Sequence, residues 1–241
     1  VYSLSNHQKN SLMYLIFDTE TTGLPHNKNA PVEDLDNWPR LVQIAWQLHN
    51  AKGKLLSQGN HIVKPDGFTI PFNSQKIHGI STERAIEVGE PLNEVLDAFV
   101  ADLQKAKVIV GHNIEFDNNI IGAEFLRKEM PNLLADFPKI DTATETKEFT
   151  DAHDAAYDVD ATAKAFFECL KKEVIPPFEA IDISEITYHG PDLEEANFAW
   201  VRESKKVGLG DAAVAVKDIK GAFCHLHVHT QFSVLQATPK I

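Results

Sequence analysis

The sequence has only two cysteines among its 241 residues, Cys169 and Cys224, and they lie far apart. A disulfide framework is therefore not expected, and a reducing, cytoplasmic compartment is the natural prediction. Long apolar runs are also lacking, because no stretch approaches the length of a membrane span. Residues 1–10 are polar and lack the apolar core of a signal peptide. These absences argue against a membrane partner.

Positive charge is scarce as well. The chain has 23 Lys and Arg against 35 Asp and Glu, which gives a net charge of −12. This balance argues against a protein that holds duplex DNA through many phosphate contacts. It does not exclude an enzyme that binds a few nucleotides at a metal site, because bound cations invert the local field.

Hydrophobic periodicity predicts three strands at the start of the chain, followed by alternating helices and strands. The predicted strands are Tyr14–Phe17, Leu41–His49, Lys54–Lys64, Val108–Val110 and Phe137–Ile140. The predicted helices are a brief one after Ser81 and longer ones from Pro91, over Phe116–Met130 and over Ala155–Lys172. The order βββ-α-β-α-β-α predicts an α/β fold, with a mixed five-stranded sheet flanked by helices.

Two carboxylates follow the first predicted strand. Asp18 and Glu20 are two residues apart, so in an extended chain they point to the same face of the sheet. Two such groups repel each other and are costly to bury unless a cation lies between them. Oxygen ligands of this kind suit Mg²⁺ or Mn²⁺. For this pair alone, a solvated strand end with ordinary surface acids is the favoured interpretation, and the features that follow along the chain reverse this preference.

Three further features occur at predicted element boundaries. Asp117 ends the run Gly-His-Asn-Ile-Glu-Phe-Asp at the start of a helix, and Asp158 lies about one turn into the last helix, after His153. His78 lies in a turn-rich Ile-His-Gly-Ile segment. Each residue alone has a structural explanation: a helix N-terminal charge, a neighbour of a cap, and a turn histidine. Together with the first pair, they gather where sites form in α/β sheets.

The motifs D-x-E-T-T-G, H-N-x-x-F-D and H-x-A-x-x-D occur in this order between residues 13 and 172. This ordered set of motifs resembles that of the DEDDh, or DnaQ-like, 3′–5′ exonucleases, and most of all that of the proofreading exonucleases of bacterial DNA polymerase III. The resemblance implies a ribonuclease H-like fold and removal of nucleotides from the 3′ end of single-stranded or frayed DNA, with two divalent cations, Mg²⁺ or Mn²⁺. It also implies four metal ligands and a general base: Asp18, Glu20, Asp117 and Asp158, with His153.

The same resemblance implies a set of substrate contacts. The implied residues are Thr21, Thr22 and Gly23 for close backbone approach, Leu24 and Phe116 against the bases, and His78 and Asn113 at the sugar or phosphate. The chain departs from the family pattern at Ile114, where a small residue is usual, so crowding of the sugar pocket is expected. It also has a shorter interval before His153, in which Thr142–Ala152 is not expected to supply a helix.

The C-terminal run Cys-His-Leu-His-Val-His-Thr-Gln-Phe-Ser resembles the opening of a PHP domain, the module that begins the alpha subunit of bacterial DNA polymerase III. His227 and His229 would then be its first metal ligands. A chance metal-binding sequence or a tag-like tail is the alternative. Gln231–Leu235 is also weakly similar to a sliding-clamp peptide.

The resulting plan has four parts: residues 1–12 as a leader or expression remnant, 13–172 as the exonuclease domain, 173–222 as a linker or extension, and 223–241 as the start of a PHP-like domain. The replicative polymerase would continue in the same polypeptide. Two other functions stay open on the sequence: an RNA-trimming exonuclease with the same metal chemistry, and an idle exonuclease-like module that docks the polymerase.

Overall fold

Five strands form one mixed sheet in the computed structural model, which describes residues 12–145, 154–176, 182–191 and 193. The strands are β1 (Met13–Thr21), β2 (Leu41–Asn50), β3 (Leu55–Ile62), β4 (Val108–Gly111) and β5 (Lys139–Asp141). Their order across the sheet is β3-β2-β1-β4-β5. Strand β1 pairs antiparallel with β2 and parallel with β4, so the mixed five-stranded sheet predicted from the sequence is confirmed.

Helices flank this sheet, as predicted. They are α1 (Phe72–His78), α2 (Thr82–Val88), α3 (Leu92–Leu103), α4 (Ile114–Arg127), α5 (Thr142–Glu145) and α6 (Ala155–Lys171), with a 3-10 turn at Ile183–Glu185. Among the described residues, none of these helices has the length and apolar character needed to cross a bilayer.

Three local predictions were wrong. The segment before Gly79 is a helix, α1, rather than a turn, and it ends where Gly79 adopts a left-handed conformation with φ of 82°. Strand β5 begins at Lys139 rather than Phe137, because Pro138 has no N–H to donate to the sheet. Residues 142–145 form one helical turn where no helix was expected.

Strand β1 divides its side chains between the two faces of the sheet. Leu15 and Phe17 point into a core shared with α3 and α4, whereas Tyr14 and Ile16 point into a core shared with α6. Aromatic pairs mark both sides: the ring centroid of Phe17 lies 5.3 Å from that of Phe99, and the centroid of Tyr14 lies 4.8 Å from that of Phe166. This period of two carries on to the polar residues that follow.

The described part of the predicted extension packs against the β2–β3 turn. The N–H of Thr187 donates to the carbonyl of Lys52 at 3.0 Å, and the N–H of His189 donates to the carbonyl of Gly53 at 2.9 Å. Gly53 has φ of 88°, and a Cβ there would lie 2.6 Å from the Thr187 carbonyl oxygen. Tyr188 donates to Asp160 of α6 at 2.5 Å. Residues 182–191 are therefore part of the folded body.

Candidate active site

Three carboxylates converge at the C-terminal end of β1. Asp18 and Glu20 continue the face of Tyr14 and Ile16, which is the face that packs against α6. Asp158 lies in the first turn of α6. Each of the three offers an oxygen atom, and these atoms all lie within 4.8 Å of one another. The structure thus brings together three of the four predicted metal ligands.

The start of α6 sets the position of Asp158. Asp154 caps the helix, because its carboxylate accepts the N–H of Ala156 at 3.0 Å and its carbonyl accepts the N–H of Asp158 at 3.1 Å. Asp154 is itself buried, with 2% of its surface exposed. The cap fixes where the helix begins and therefore which side chain, one turn later, faces Asp18.

Asp117, the fourth predicted ligand, approaches from the opposite face of the sheet. Its Oδ1 accepts the backbone N–H of Thr19 at 3.0 Å and the Thr19 hydroxyl at 2.6 Å. Thr19 lies between Asp18 and Glu20 and points toward α4. Asp117 therefore binds β1 at Thr19, from the face of the sheet that packs against α4. Among the described residues, Asp117 is not one of the three whose oxygens lie mutually within 4.8 Å.

The electrostatics of Asp18 show how crowded the acids are. Burial is the largest cause that raises the pKa of this carboxyl well above its usual range, and repulsion from Asp117, Asp158, Glu20 and Asp154 raises it further. Ionised Asp18 is therefore unfavourable in the protein alone. A cation between these groups would relieve the repulsion.

Asp117 is perturbed in the same direction. Burial raises its pKa to about 7, although the two hydrogen bonds from Thr19 act to lower it. Only 3% of the residue is exposed. The site thus holds a second carboxyl that is costly to ionise without a counter-charge.

These observations fit a site for divalent cations. Carboxylate oxygens are the ligands that Mg²⁺ and Mn²⁺ prefer, and the described cluster offers three of them at close range. The raised pKa of Asp18 is the expected cost of such a cluster when no positive charge balances it.

A groove of about 370 Å³ lies beside the acids. It is bounded by the end of β1 and the loop after it, by α1, and by the start of α4. Its lining residues are Thr19, Glu20, Thr21, Thr22, Gly23, Leu24, Pro71, Asn73, Ser74, Ile77, His78 and Phe116. Six of the seven predicted substrate residues are among them.

The groove wall at Thr22 is held from two sides. The Ser74 hydroxyl donates to the Thr22 carbonyl at 2.8 Å. On the other side, the Thr22 N–H donates to the carbonyl of Arg40 at 2.9 Å, and the Arg40 N–H donates to the Thr22 hydroxyl at 2.9 Å. By contrast, the Leu24 side chain stands out from the body, with 45% of the residue exposed. A fixed backbone and a protruding apolar side chain suit close approach and base contact respectively.

His78 is buried, with 2% of its surface exposed, and is the last residue of α1 rather than part of an irregular turn. Its Nδ1 accepts the N–H of Ile80 at 3.1 Å, which fixes the ring in the groove lining.

Asn113, the seventh predicted substrate residue, is exposed and does not line this groove. It caps α4 in a left-handed conformation with φ of 64°, and its N–H donates to Asp141 Oδ1 at 2.8 Å. Its contact with substrate stays a prediction.

Ile114 does not line the groove either. It is 1% exposed and packs over Gly111, where a Cβ would lie 2.6 Å from Ile114 Cδ1. The larger side chain therefore fills the core next to β4, and its effect on the sugar of a bound nucleotide stays a prediction.

His153, His227 and His229 lie outside the described residues, so the roles predicted for them stay predictions. Sequence reasoning did not assign site roles to Thr19, Asp141 or Asp154. The N-cap position of Asp154 before a predicted helix was a usable signal. The other two act through partners that are distant in sequence, which no local pattern reveals.

Comparison with known proteins agrees with this geometry. The RNase_T family model, described as "Exonuclease", matches residues 15–166. The DNA polymerase III PolC-type protein of Streptococcus thermophilus is 28% identical over 190 residues, which cover 71% of this chain and 12% of that protein. Its counterpart in Streptococcus pyogenes serotype M1 is 29% identical over 176 residues, covering 66% of this chain and 11% of that protein. The chain thus spans only about an eighth of these relatives.

Among solved structures, Escherichia coli Exonuclease I in complex with a dA16 oligonucleotide superimposes with a TM-score of 0.54 and 20% identity, over 67% of this chain and 41% of that chain. Exonuclease I from Methylocaldum szegediense gives 0.54 and 17%, over 67% and 40%. At these identities the likeness concerns the fold, which is the ribonuclease H-like fold expected from the motifs.

Proposed function

The chain belongs to the RNase_T family of exonucleases, and we propose that it is a metal-dependent 3′–5′ exodeoxyribonuclease. The observation that carries the proposal is the group of Asp18, Glu20 and Asp158, whose oxygens lie within 4.8 Å of one another beside a groove. Phosphodiester hydrolysis needs an activated water and relief of the charge on the leaving 3′ oxygen. An acidic cluster of this kind serves both needs through bound cations.

In this proposal Asp18, Glu20 and Asp158 hold two divalent cations, Mg²⁺ or Mn²⁺, and Asp117 completes the ring of acids. When bound, the cations supply a Lewis acid for the scissile phosphate and balance the negative charge that develops on the leaving oxygen. His153, which precedes Asp154 in the sequence, is the proposed acceptor of the proton of the attacking water, because a histidine side chain exchanges protons near neutral pH.

The groove residues position the 3′ end. The backbone of Thr21–Gly23 lets the terminal nucleotide come close to the acids, while Leu24 and Phe116 contact its base. Stacking and apolar contact of this type tolerate any base, which is what removal of successive nucleotides requires.

DNA is the proposed substrate because the relatives are DNA polymerase III proteins of the PolC type, and because an Exonuclease I of the same fold was solved with a deoxyadenylate oligonucleotide. Proofreading for a bacterial DNA polymerase III in the cytoplasm is the proposed role, with the polymerase in the same polypeptide. The proposal includes His227 and His229 as the first metal ligands of a PHP-like domain. It also includes contact with a sliding clamp.

The test is hydrolysis of a single-stranded DNA oligonucleotide labelled at its 5′ end, with Mg²⁺ or Mn²⁺. Stepwise shortening from the 3′ end is expected, and an RNA of equal sequence should be cut more slowly. Asp18→Ala should abolish the reaction, whereas Asp97→Ala, which removes an exposed acid on α3, should not.

Activity that survives Asp18→Ala unchanged would refute the metal-site assignment. Preference for RNA would favour the trimming enzyme, and absence of any divalent-cation binding by calorimetry would favour an idle docking module.

A further inference from the structure

A buried cluster of charges in α4 is connected to the groove wall. Glu124 has no exposed surface. Its Oε1 accepts from Arg40 Nε at 2.9 Å, and its Oε2 accepts from Arg40 Nη2 at 3.4 Å. Arg127 Nη1 lies 3.0 Å from the same Oε1. One carboxylate thus balances two guanidinium groups.

This cluster reaches β2 and the groove through the main chain. The N–H of Leu41, the first residue of β2, donates to Glu124 Oε1 at 3.0 Å. The residue before it, Arg40, exchanges two hydrogen bonds with Thr22, each of 2.9 Å. Its guanidinium also lies over the Phe68 ring, with Cζ 4.4 Å from the centroid. The Arg40 side chain and main chain therefore connect Glu124 to the Thr22 wall.

Helix α4 holds the site at two points. Asp117 binds β1 at Thr19, and Glu124, seven residues later, holds the start of β2 and Arg40. Seven residues are about two helical turns, so both carboxylates lie on nearly the same face of α4, about 10 Å apart along it. A two-point Arg–carboxylate contact fixes orientation as well as distance. The helix thereby sets the acids and the groove wall relative to each other.

We propose that Glu124 and Arg40 are positioning residues that hold the Thr22 wall of the groove for the 3′-terminal nucleotide. The inference rests on the proposed function, because it assigns a task to the same groove. Neither residue touches the reacting atoms in this scheme. Their effect is on substrate binding rather than on the chemical step.

The test is Glu124→Gln, which keeps the shape and an acceptor for Leu41 but removes the charge that Arg40 and Arg127 share. The KM for a single-stranded DNA oligonucleotide should rise about tenfold. This is the loss of binding free energy expected when one member of a hydrogen-bonded charge network is changed. The value of kcat should stay within about twofold of wild type. Mn²⁺ binding by calorimetry should not change, because the acids are untouched.

Arg40→Lys keeps the positive charge but loses the two-point contact, so it should raise KM in the same direction. The effect of the double variant on KM should be smaller than the sum of the two single effects, expressed as free energies, because both changes break the same interaction.

Asp102→Asn is the matched control for stability. Asp102 is also buried and accepts from Trp46 Nε1 at 2.9 Å and from Lys105 Nζ at 2.8 Å, but it does not line the groove. It should lower the melting temperature without raising KM.

An unchanged KM in Glu124→Gln and in Arg40→Lys would overturn the inference, as would an equal rise in KM for Asp102→Asn. Oligonucleotide affinity, measured by fluorescence anisotropy, provides a readout that needs no turnover. A wild-type chain that binds the oligonucleotide but releases no nucleotide would contradict the proposed function alone, and the positioning role would still be decided by the affinities of the variants.

Discussion

Replacing Asp117 with asparagine should stabilise the metal-free protein at neutral and higher pH. Burial raises the pKa of Asp117 from the usual 3.8 to about 7, so keeping it ionised in the folded state has a free-energy cost. At about 1.4 kcal/mol for each pKa unit, this cost is on the order of 4 kcal/mol. Asparagine removes the charge, and its side-chain oxygen can still accept both hydrogen bonds from Thr19.

The sign of the pH dependence follows from the direction of the shift. A carboxyl whose folded pKa is raised contributes stability below its unfolded pKa of 3.8, and this contribution is lost as the pH rises through about 7. The difference in free energy of unfolding between Asp117→Asn and wild type should therefore be near zero below about pH 4 and reach its full size by about pH 8.

Urea unfolding in the presence of EDTA, at both ends of that range, measures the difference. The fluorescence of Trp38 and Trp46 is a suitable signal, because both side chains are buried. Asp97→Asn, an exposed acid on α3, is the control and should change stability at neither pH. Addition of Mn²⁺ should stabilise wild type more than Asp117→Asn. An equal effect of Asp117→Asn at both pH values, or destabilisation at the higher one, would refute the reasoning.

Three further predictions concern the groove, the core and the extension. Leu24→Ala should lower kcat/KM for an oligonucleotide by about tenfold, through lost apolar contact with the base, whereas Leu56→Ala should not, although both residues are 45% exposed. Gly111→Ala should lower the free energy of unfolding, measured in urea, by about 1–3 kcal/mol, because the added Cβ would clash with Ile114. Adding Ile114→Ala to this variant should restore part of the lost stability. Tyr188→Phe removes the phenol hydroxyl, which donates to Asp160 and lies 3.0 Å from Gln47 Oε1, and should cost about 1–2 kcal/mol. Amide hydrogen exchange in residues 182–191 should be faster than in wild type.

The sheet and its long helices were predictable because their patterns are local. The apolar run before Asp18 and its period of two indicate β1 and place Asp18 and Glu20 on one face. The spacing of apolar residues likewise indicates α3, α4 and α6. Both signals reflect burial against a whole face of the sheet, so they persist over many residues.

The short elements were not predictable in the same way. Helix α1 has seven residues, too few for periodicity to be decisive, and its end depends on the left-handed conformation of Gly79. Strand β5 has three residues, and its pairing with β4 defines it more than its own composition does. The side from which Asp117 approaches depends on which helix packs on which face, and this is a property of the tertiary fold.

The docking of residues 187–189 on the β2–β3 turn fixes the position of this segment relative to the acids. Lys54, which bridges to His189, lies next to Asn50, and Asn50 pairs with Met13 at the start of β1. Asp18 is five residues further along that strand, about 17 Å away in an extended chain. Residues 187–189 and the acids therefore lie at opposite ends of β1. A bulky group attached at residues 187–189 would therefore not stand in front of the groove.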